Sequence, residues 1–276
     1  MALIPTTNLQ QFQDPLLGWL AQMVRNGSRP GAKYQLLLDL AEAIRSARTG
    51  VNPMVQILNT ADPILQAVQR TIARHNFRFV WKKILVIGCS AGGEVALRTL
   101  FRQIKFPHLP MIIAMHHNPG FQFSTRFELA NQVSQRFEPA GNGQLIDGSR
   151  VYFLPSRVLH EFSVGQAAFL QQPLTERPRF RPEIDKVMSS TARRFNSTAV
   201  GIILSGMLDD GAEGSKAMAA AGSEVWVQEP GSALFKEMPK AALRATTRAT
   251  SLSLAAMGQR INNLSFNHLT LEPLAS

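Results

Sequence analysis

Six consecutive residues, Gly88-Cys89-Ser90-Ala91-Gly92-Gly93, set a serine at the centre of a G-x-S-x-G spacing. The apolar run Ile84-Leu85-Val86-Ile87 precedes them, and a helical pattern over 94–102 follows. Strand, tight turn and helix in that order lift a serine hydroxyl clear of a sheet, while the glycines let the helix pack close behind it. Free N–H groups at the helix start, those of Ala91 and Gly92 among them, suit a developing oxyanion. The chemistry this spacing points to is attack by Ser90 on a carbonyl carbon.

The turn allows plainer readings, a phosphate cradle or a simple connection. A Walker loop needs Lys-Ser/Thr after its last glycine, where this chain has Glu94-Val95. A dinucleotide fingerprint is broken where Ser90 replaces its second glycine. A glutamate at the mouth would also repel phosphate. The nucleophile reading leads.

A serine hydroxyl needs a base, and the base needs a third group to fix its tautomer and balance its charge. Open α/β sheets gather ligands outside the carboxyl ends of their strands. Three expected strand ends carry reactive side chains. Ser90 follows the first, and His116-His117 follow residues 111–115. Asp209-Asp210 follow residues 200–204 by way of Ser205-Gly206-Met207-Leu208. The chain order Ser, His, Asp differs from the Ser, Asp, His of α/β-hydrolases. A histidine there can also be an ordinary satisfied polar group, and either aspartate can cap a helix starting near Ala212. Cys89 alternates in direction with Ser90, so its thiol is expected in the core and inert.

These positions require an α/β scaffold. Strands are expected at 84–87, 111–115, 151–154, 200–204 and 224–227, with helices at 94–102, 125–136, 185–195 and 212–221. Short apolar strands alternating with helices predict a doubly wound, mainly parallel sheet with helices on both faces. Gly143, Gly148 and alternating apolar residues over 142–171 predict a hairpin instead of a crossover. Residues 1–80 differ: Asp14-Pro15 and Asp62-Pro63 mark helix starts, and apolar residues recur at helical spacing. They are expected to form a small helical module, leaving 81–276 as the chemistry-bearing domain.

At 276 residues and 45% apolar content, the chain can bury one α/β core and an added module. No leader-like N-terminus and no apolar run of about 20 residues is present, so a cytoplasmic protein without membrane insertion is expected. Its one cysteine excludes an internal disulfide and a cysteine-based metal site. The net charge of +10 is dispersed, with no basic stripe interleaved with aromatics, and no nucleic-acid partner is expected.

Five segments in order resemble the catalytic domain of the chemotaxis protein-glutamate methylesterases, the CheB family. They are Gly88 to Gly93, His116-His117-Asn118-Pro119-Gly120-Phe121, Arg181-Pro182-Glu183-Ile184-Asp185, Ser205 through Gly214, and Met238-Pro239-Lys240-Ala241-Ala242. The resemblance implies a serine hydrolase that removes methyl groups from glutamate methyl esters on chemoreceptor cytoplasmic helices, with no metal or organic cofactor. Some members also deamidate receptor glutamines. By position it implies Ser90 as nucleophile, His116 as base (Pro119, Gly120 and Phe121 fix the choice over His117) and Asp210 as orienting acid. It implies the Met207 N–H near the oxyanion, beside those of Ala91 and Gly92.

The chain departs from the family pattern at Ala91, Leu208, Glu237 and Phe180, where the family has Thr or Ser, a small residue, Gly and His. A catalytically weakened regulatory protein, or an esterase for another ester, are the alternatives these departures leave. Residues 1–80 stand where most members carry a receiver domain, and are expected either to dock a signalling partner, to cover the site, or to cap the domain structurally.

Overall fold

The computed structural model describes residues 77–104, 109–117, 136–146, 148, 150–156, 158–163, 167–173 and 180–273. The helices expected within 1–76, and residues 125–135 of the one expected over 125–136, lie outside these residues. The described residues fall into two units, 77–80 with 269–273, and 81–268. In the first, strand β1 (Phe77–Trp81) pairs with β11 (Leu269–Pro273) in a two-stranded sheet. Residues 77–80 are therefore strand, at the end of the segment whose sequence reads as helical.

The second unit is built on β2 (Ile84–Cys89), whose six residues are all buried. Its side chains alternate across the sheet: Ile84 and Val86 enter one apolar cluster, Leu85, Ile87 and Cys89 the other. A strand with two buried faces has to be apolar throughout, which is why this run shows no polar alternation. The flanking helix α1 (Gly93–Phe101) buries Ala96, Leu97, Leu100 and Phe101 on the second face, and pairs Glu94 with Arg98 one turn apart on its other side.

The remaining strands are β3 (Met111–Met115), β4 (Arg136–Pro139), β5 (Arg150–Phe153), β6 (Val158–Phe162), β7 (Phe169–Pro173), β8 (Ala199–Ile203), β9 (Glu224–Gln228) and β10 (Ala249–Leu252). Seven form one sheet in the order β10-β9-β8-β2-β3-β5-β4, and every pairing in it is parallel. The sheet is the doubly wound one expected. β6 and β7 pair antiparallel in a separate hairpin, whereas β5, in the stretch read as hairpin, runs parallel in the main sheet. β4 was not anticipated, and Arg136, read as the end of a helix, opens it.

Helices α2 (Ile184–Phe195), α3 (Ala212–Ala220) and α4 (Glu237–Ala245) contribute to the first apolar cluster. α5 (Leu254–His268) joins α1 on the opposite face through Met257 and Ile261. α2 places Ile184, Val187, Met188, Thr191, Ala192 and Phe195 on its buried side, an i, i+3, i+4, i+7 stripe. α2 and α3 approach closely at Gly214, where a Cβ would lie 2.7 Å from Met188 Cβ and 3.1 Å from Asp185 Cα. Among the described residues, no helix is long and apolar enough to cross a membrane.

Candidate active site

β2 is the topological switch: β3 lies on one side of it and β8 on the other. The crevice at their carboxyl ends is where such sheets hold ligands. Ser90 leaves β2, and its N–H donates to the Ser205 carbonyl beyond β8, 3.0 Å away. Its own carbonyl accepts from Gly93 N–H at 2.8 Å, closing the turn. Gly92 caps α1 with φ of 71°, a left-handed conformation in which a side chain would also strike Ser205 and Leu234. On the other side, His116 N–H donates to the Cys89 carbonyl at 3.0 Å, which holds the end of β3 against the end of β2.

Ser90 Oγ lies 3.1 Å from His116 Nδ1, and His116 Nε2 lies 2.6 Å from Asp210 Oδ2. A carboxylate only accepts, so Nε2 carries the proton and Nδ1 presents its lone pair to the Ser90 hydroxyl. This is the reverse of the trypsin-like template, in which Nε2 faces the serine. Phe180 stacks on the imidazole, with ring planes 1° apart and centroids 5.1 Å apart, and fixes the plane in which both nitrogens lie. His117 turns elsewhere, its N–H donating to the Arg181 carbonyl and its Nε2 meeting the Leu154 carbonyl.

Asp210 is 2% exposed. A buried carboxylate must be satisfied on both oxygens. Oδ2 accepts from Ile184 N–H as well as His116, and Oδ1 accepts from the N–H groups of Asp185 and Gly211, all three backbone bonds being 2.9–3.0 Å. Asp210 thus caps the N-terminus of α2, and not that of the helix that follows it. Asp185 returns the arrangement: its Oδ1 accepts from Gly211 N–H at 2.9 Å and Gly214 N–H at 2.7 Å, capping α3. Each helix supplies, or directly follows, the carboxylate that caps the other. Asp209 contributes its carbonyl to Ala212 N–H.

Among the described residues, the N–H groups of Ala91, Gly92 and Met207 donate to no protein acceptor. Met207 is half exposed, and Gly206 before it packs against the serine, since a Cβ there would lie 3.0 Å from Ser90 Cβ. Three open donors therefore border the nucleophile turn. Cys89 is fully buried, its thiol pushed up by that burial, and belongs to the core.

Within this chain, the family model described as CheB methylesterase matches residues 85–261. The chain belongs to the CheB methylesterase family. It is 30% identical over 183 residues to a Caulobacter vibrioides protein-glutamate methylesterase/protein-glutamine glutaminase, with 66% of this chain and 53% of that protein covered. A Pseudomonas syringae protein of the same description is 28% identical over 246 residues, covering 84% of this chain and 68% of that one. The chain spans about half the length of the Caulobacter relative. The Thermotoga maritima CheB methylesterase catalytic domain superposes with a TM-score of 0.61 at 23% identity, over 67% of this chain and all of that one. That likeness concerns the fold.

Seen against CheB sequences, the departures have definite places here. Phe180 lies on the face of His116. Leu208 has φ of 66° and is 51% exposed, so a bulky residue occupies a left-handed position that costs it about 1 kcal/mol. The Ala91 carbonyl accepts from Ser205 Oγ at 2.8 Å. The Asn118-Pro119-Gly120-Phe121 stretch lies outside the described residues.

Sequence reasoning assigned no role to Asp185, Ser205 or Gln228. Ser205 is 1% exposed and ties three loops together. Its hydroxyl donates to Ala91 and accepts from Phe235 N–H, its carbonyl receives Ser90 N–H, and its N–H donates to buried Gln228 Oε1. Such residues act through backbone partners, and a one-dimensional pattern carries no sign of them. Asp185 alone left a signal, two carboxylates at the starts of two adjacent helices.

Proposed function

We propose that the protein is a cytoplasmic serine hydrolase that demethylates glutamate methyl esters on chemoreceptor helices. The observation carrying this reading is the hydrogen-bonded line from Ser90 through His116 to Asp210 at the switch of a CheB-family sheet. In it, Ser90 Oγ bonds to the ester carbonyl carbon while its proton passes to His116 Nδ1. The oxyanion so formed meets the open N–H groups of Ala91, Gly92 and Met207. The carbon–methoxy bond then breaks, and His116 returns the proton so that methanol leaves. Water attacks the acyl-serine with His116 again as base, releasing glutamate and free Ser90. Asp210 holds the histidine tautomer and balances the imidazolium charge.

Residues 81–268 are the catalytic domain in this reading, and the segment before β1 a helical module through which a signalling partner engages it. The net charge of +10 suits a glutamate-rich receptor surface. The exposed Met207, Leu208 and Leu234 favour one variation, an ester flanked by apolar groups.

The test is methanol release from methylated receptor by the full chain. Release that is absent with unmethylated receptor and absent from Ser90→Ala supports the reading. No release, with Ser90 still labelled by a fluorophosphonate, would move the substrate to another ester. No release and no labelling would favour a binding protein on this fold.

A further inference from the structure

Asp210 owes its place to more than His116. Its three backbone donors come from two segments, the start of α2 and the residue opening α3, and those segments are fastened together by Asp185. The Gly211 N–H sits between the two carboxylates, 2.9 Å from Asp185 Oδ1 and 3.0 Å from Asp210 Oδ1. Gly214, the other donor to Asp185, is the residue at which α3 touches α2. If Asp185 ceased to accept, the loop carrying Asp210 would lose its anchor on α2 at the position next to the acid.

We propose that Asp185 is a positioning residue for Asp210, and that its carboxylate must be ionised for Asp210 to face His116 in the productive geometry. This rests on reading Ser90, His116 and Asp210 as the catalytic groups.

The surroundings make that ionisation conditional. Two carboxylates share one donor, and the charges facing Asp185 across the helix pair are Asp210 and Glu213, both negative. On its own helix Glu183 is paired with Lys186 at 2.9 Å, and on α3 Glu213 lies 3.5 Å from Lys216. Burial chiefly, with Asp210 and Glu213 adding to it, pushes Asp185 up to about 6 against the pull of the Gly214 and Gly211 N–H groups. The folded protein therefore holds this proton more tightly than the unfolded chain. The resulting contribution favours the folded state at low pH and is lost as pH rises through about 6. Activity should move the other way over the same interval, because the carboxylate that fastens α3 appears as stability from this group disappears.

The experiment uses the full chain with p-nitrophenyl acetate as probe, from about pH 4.5 to about pH 8.5, subtracting Ser90→Ala. Asp185→Ala is expected to lower kcat about 30–100-fold with KM within about 2-fold. Asp185→Asn, neutral at every pH like the protonated acid, is expected to lower kcat at least about 10-fold near pH 8, while the acid limb of log kcat falls from a slope near two to a slope near one. Wild type should gain stability over Asp185→Asn as pH falls below about 6.

An Asp185→Ala kcat within about 2-fold of wild type overturns the proposal. So does an Asp185→Asn acid limb that superposes on the wild-type limb, and this second variant decides the matter if the alanine variant fails to fold. A wild-type rate no higher than that of Ser90→Ala overturns the serine reading and the positioning role with it. Serine-dependent hydrolysis with unaffected Asp185 variants overturns the positioning role alone.

Discussion

Ser90→Ala is expected to lower kcat/KM about 10⁵-fold, and His116→Ala to do nearly the same, with the double variant no worse than either. The two side chains act as one unit: without the 3.1 Å contact there is neither an activated hydroxyl nor a use for the base. Both variants should keep the fold, because Ser90 contributes its backbone, and not its hydroxyl, to the turn. Asp210 behaves differently. Asp210→Ala would strand the N–H groups of Ile184 and Asp185, at about 1–3 kcal/mol each, while Gly211 N–H keeps Asp185 Oδ1, so its rate loss would be mixed with instability. Asp210→Asn is the cleaner probe. Its oxygen can serve Asp185 and Gly211, but its NH₂ would then face both Ile184 N–H and His116 Nε2. The imidazole would turn its other tautomer toward Ser90 and lose its lone pair there, at a loss of about 10⁴-fold. Steady-state rates beside unfolding midpoints for the five variants check this; losses that add in the Ser90/His116 double variant would be inconsistent with a triad.

The second large effect is expected at Gly206. Its N–H donates to the Phe235 carbonyl and its carbonyl accepts from Met238 N–H, each at 3.0 Å, so the backbone cannot withdraw. A Cβ would overlap the Met238 side chain, which is 1% exposed and enclosed, and would press on Ser90 Cβ. Gly206→Ala should cost about 2–3 kcal/mol of stability through overpacking. It should also cost about 10²-fold in rate, because the nucleophile and the Met207 N–H shift together. In a Met238→Ala background the stability cost should shrink while the rate loss persists, since the cavity relieves only one of the two collisions. Urea unfolding and ester hydrolysis across the four-variant cycle measure both. A rate restored along with stability would show that the clash with Ser90 is unimportant.

The legible parts of this fold are those whose burial leaves no choice. Residues 111–115 were read as the observed β3, and 84–87 and 200–204 fall within a residue or two of β2 and β8, because a strand covered on both faces must be an unbroken apolar run. β4 has one buried apolar side chain, Phe137, between Arg136 and Glu138, and ends on Pro139, so neither alternation nor a run announces it. β10 is half exposed at the sheet edge, and α5 is punctuated by Gly258 and by Asn262-Asn263, which weaken a helical reading. At the site, side chains placed by strand ends were visible: Ser90, His116 and Asp210 each follow a readable strand. The choice of His116 over His117, and of Asp210 over Asp209, came from resemblance. Ser205 and Gln228 stayed silent because their partners are peptide groups, whose positions depend on the folded path.

The strand order also bears on how the chain is made. β2 pairs with β3 almost as soon as Met115 has been synthesised, but its other edge waits for β8, which begins at Ala199. Until then an apolar strand stands at the edge of a partial sheet with a row of open peptide groups, the arrangement that invites pairing with a second nascent chain. The strand that leads into the nucleophile turn thus keeps one edge open to aggregation until β8 is made, and the active centre cannot close before that hazard has passed.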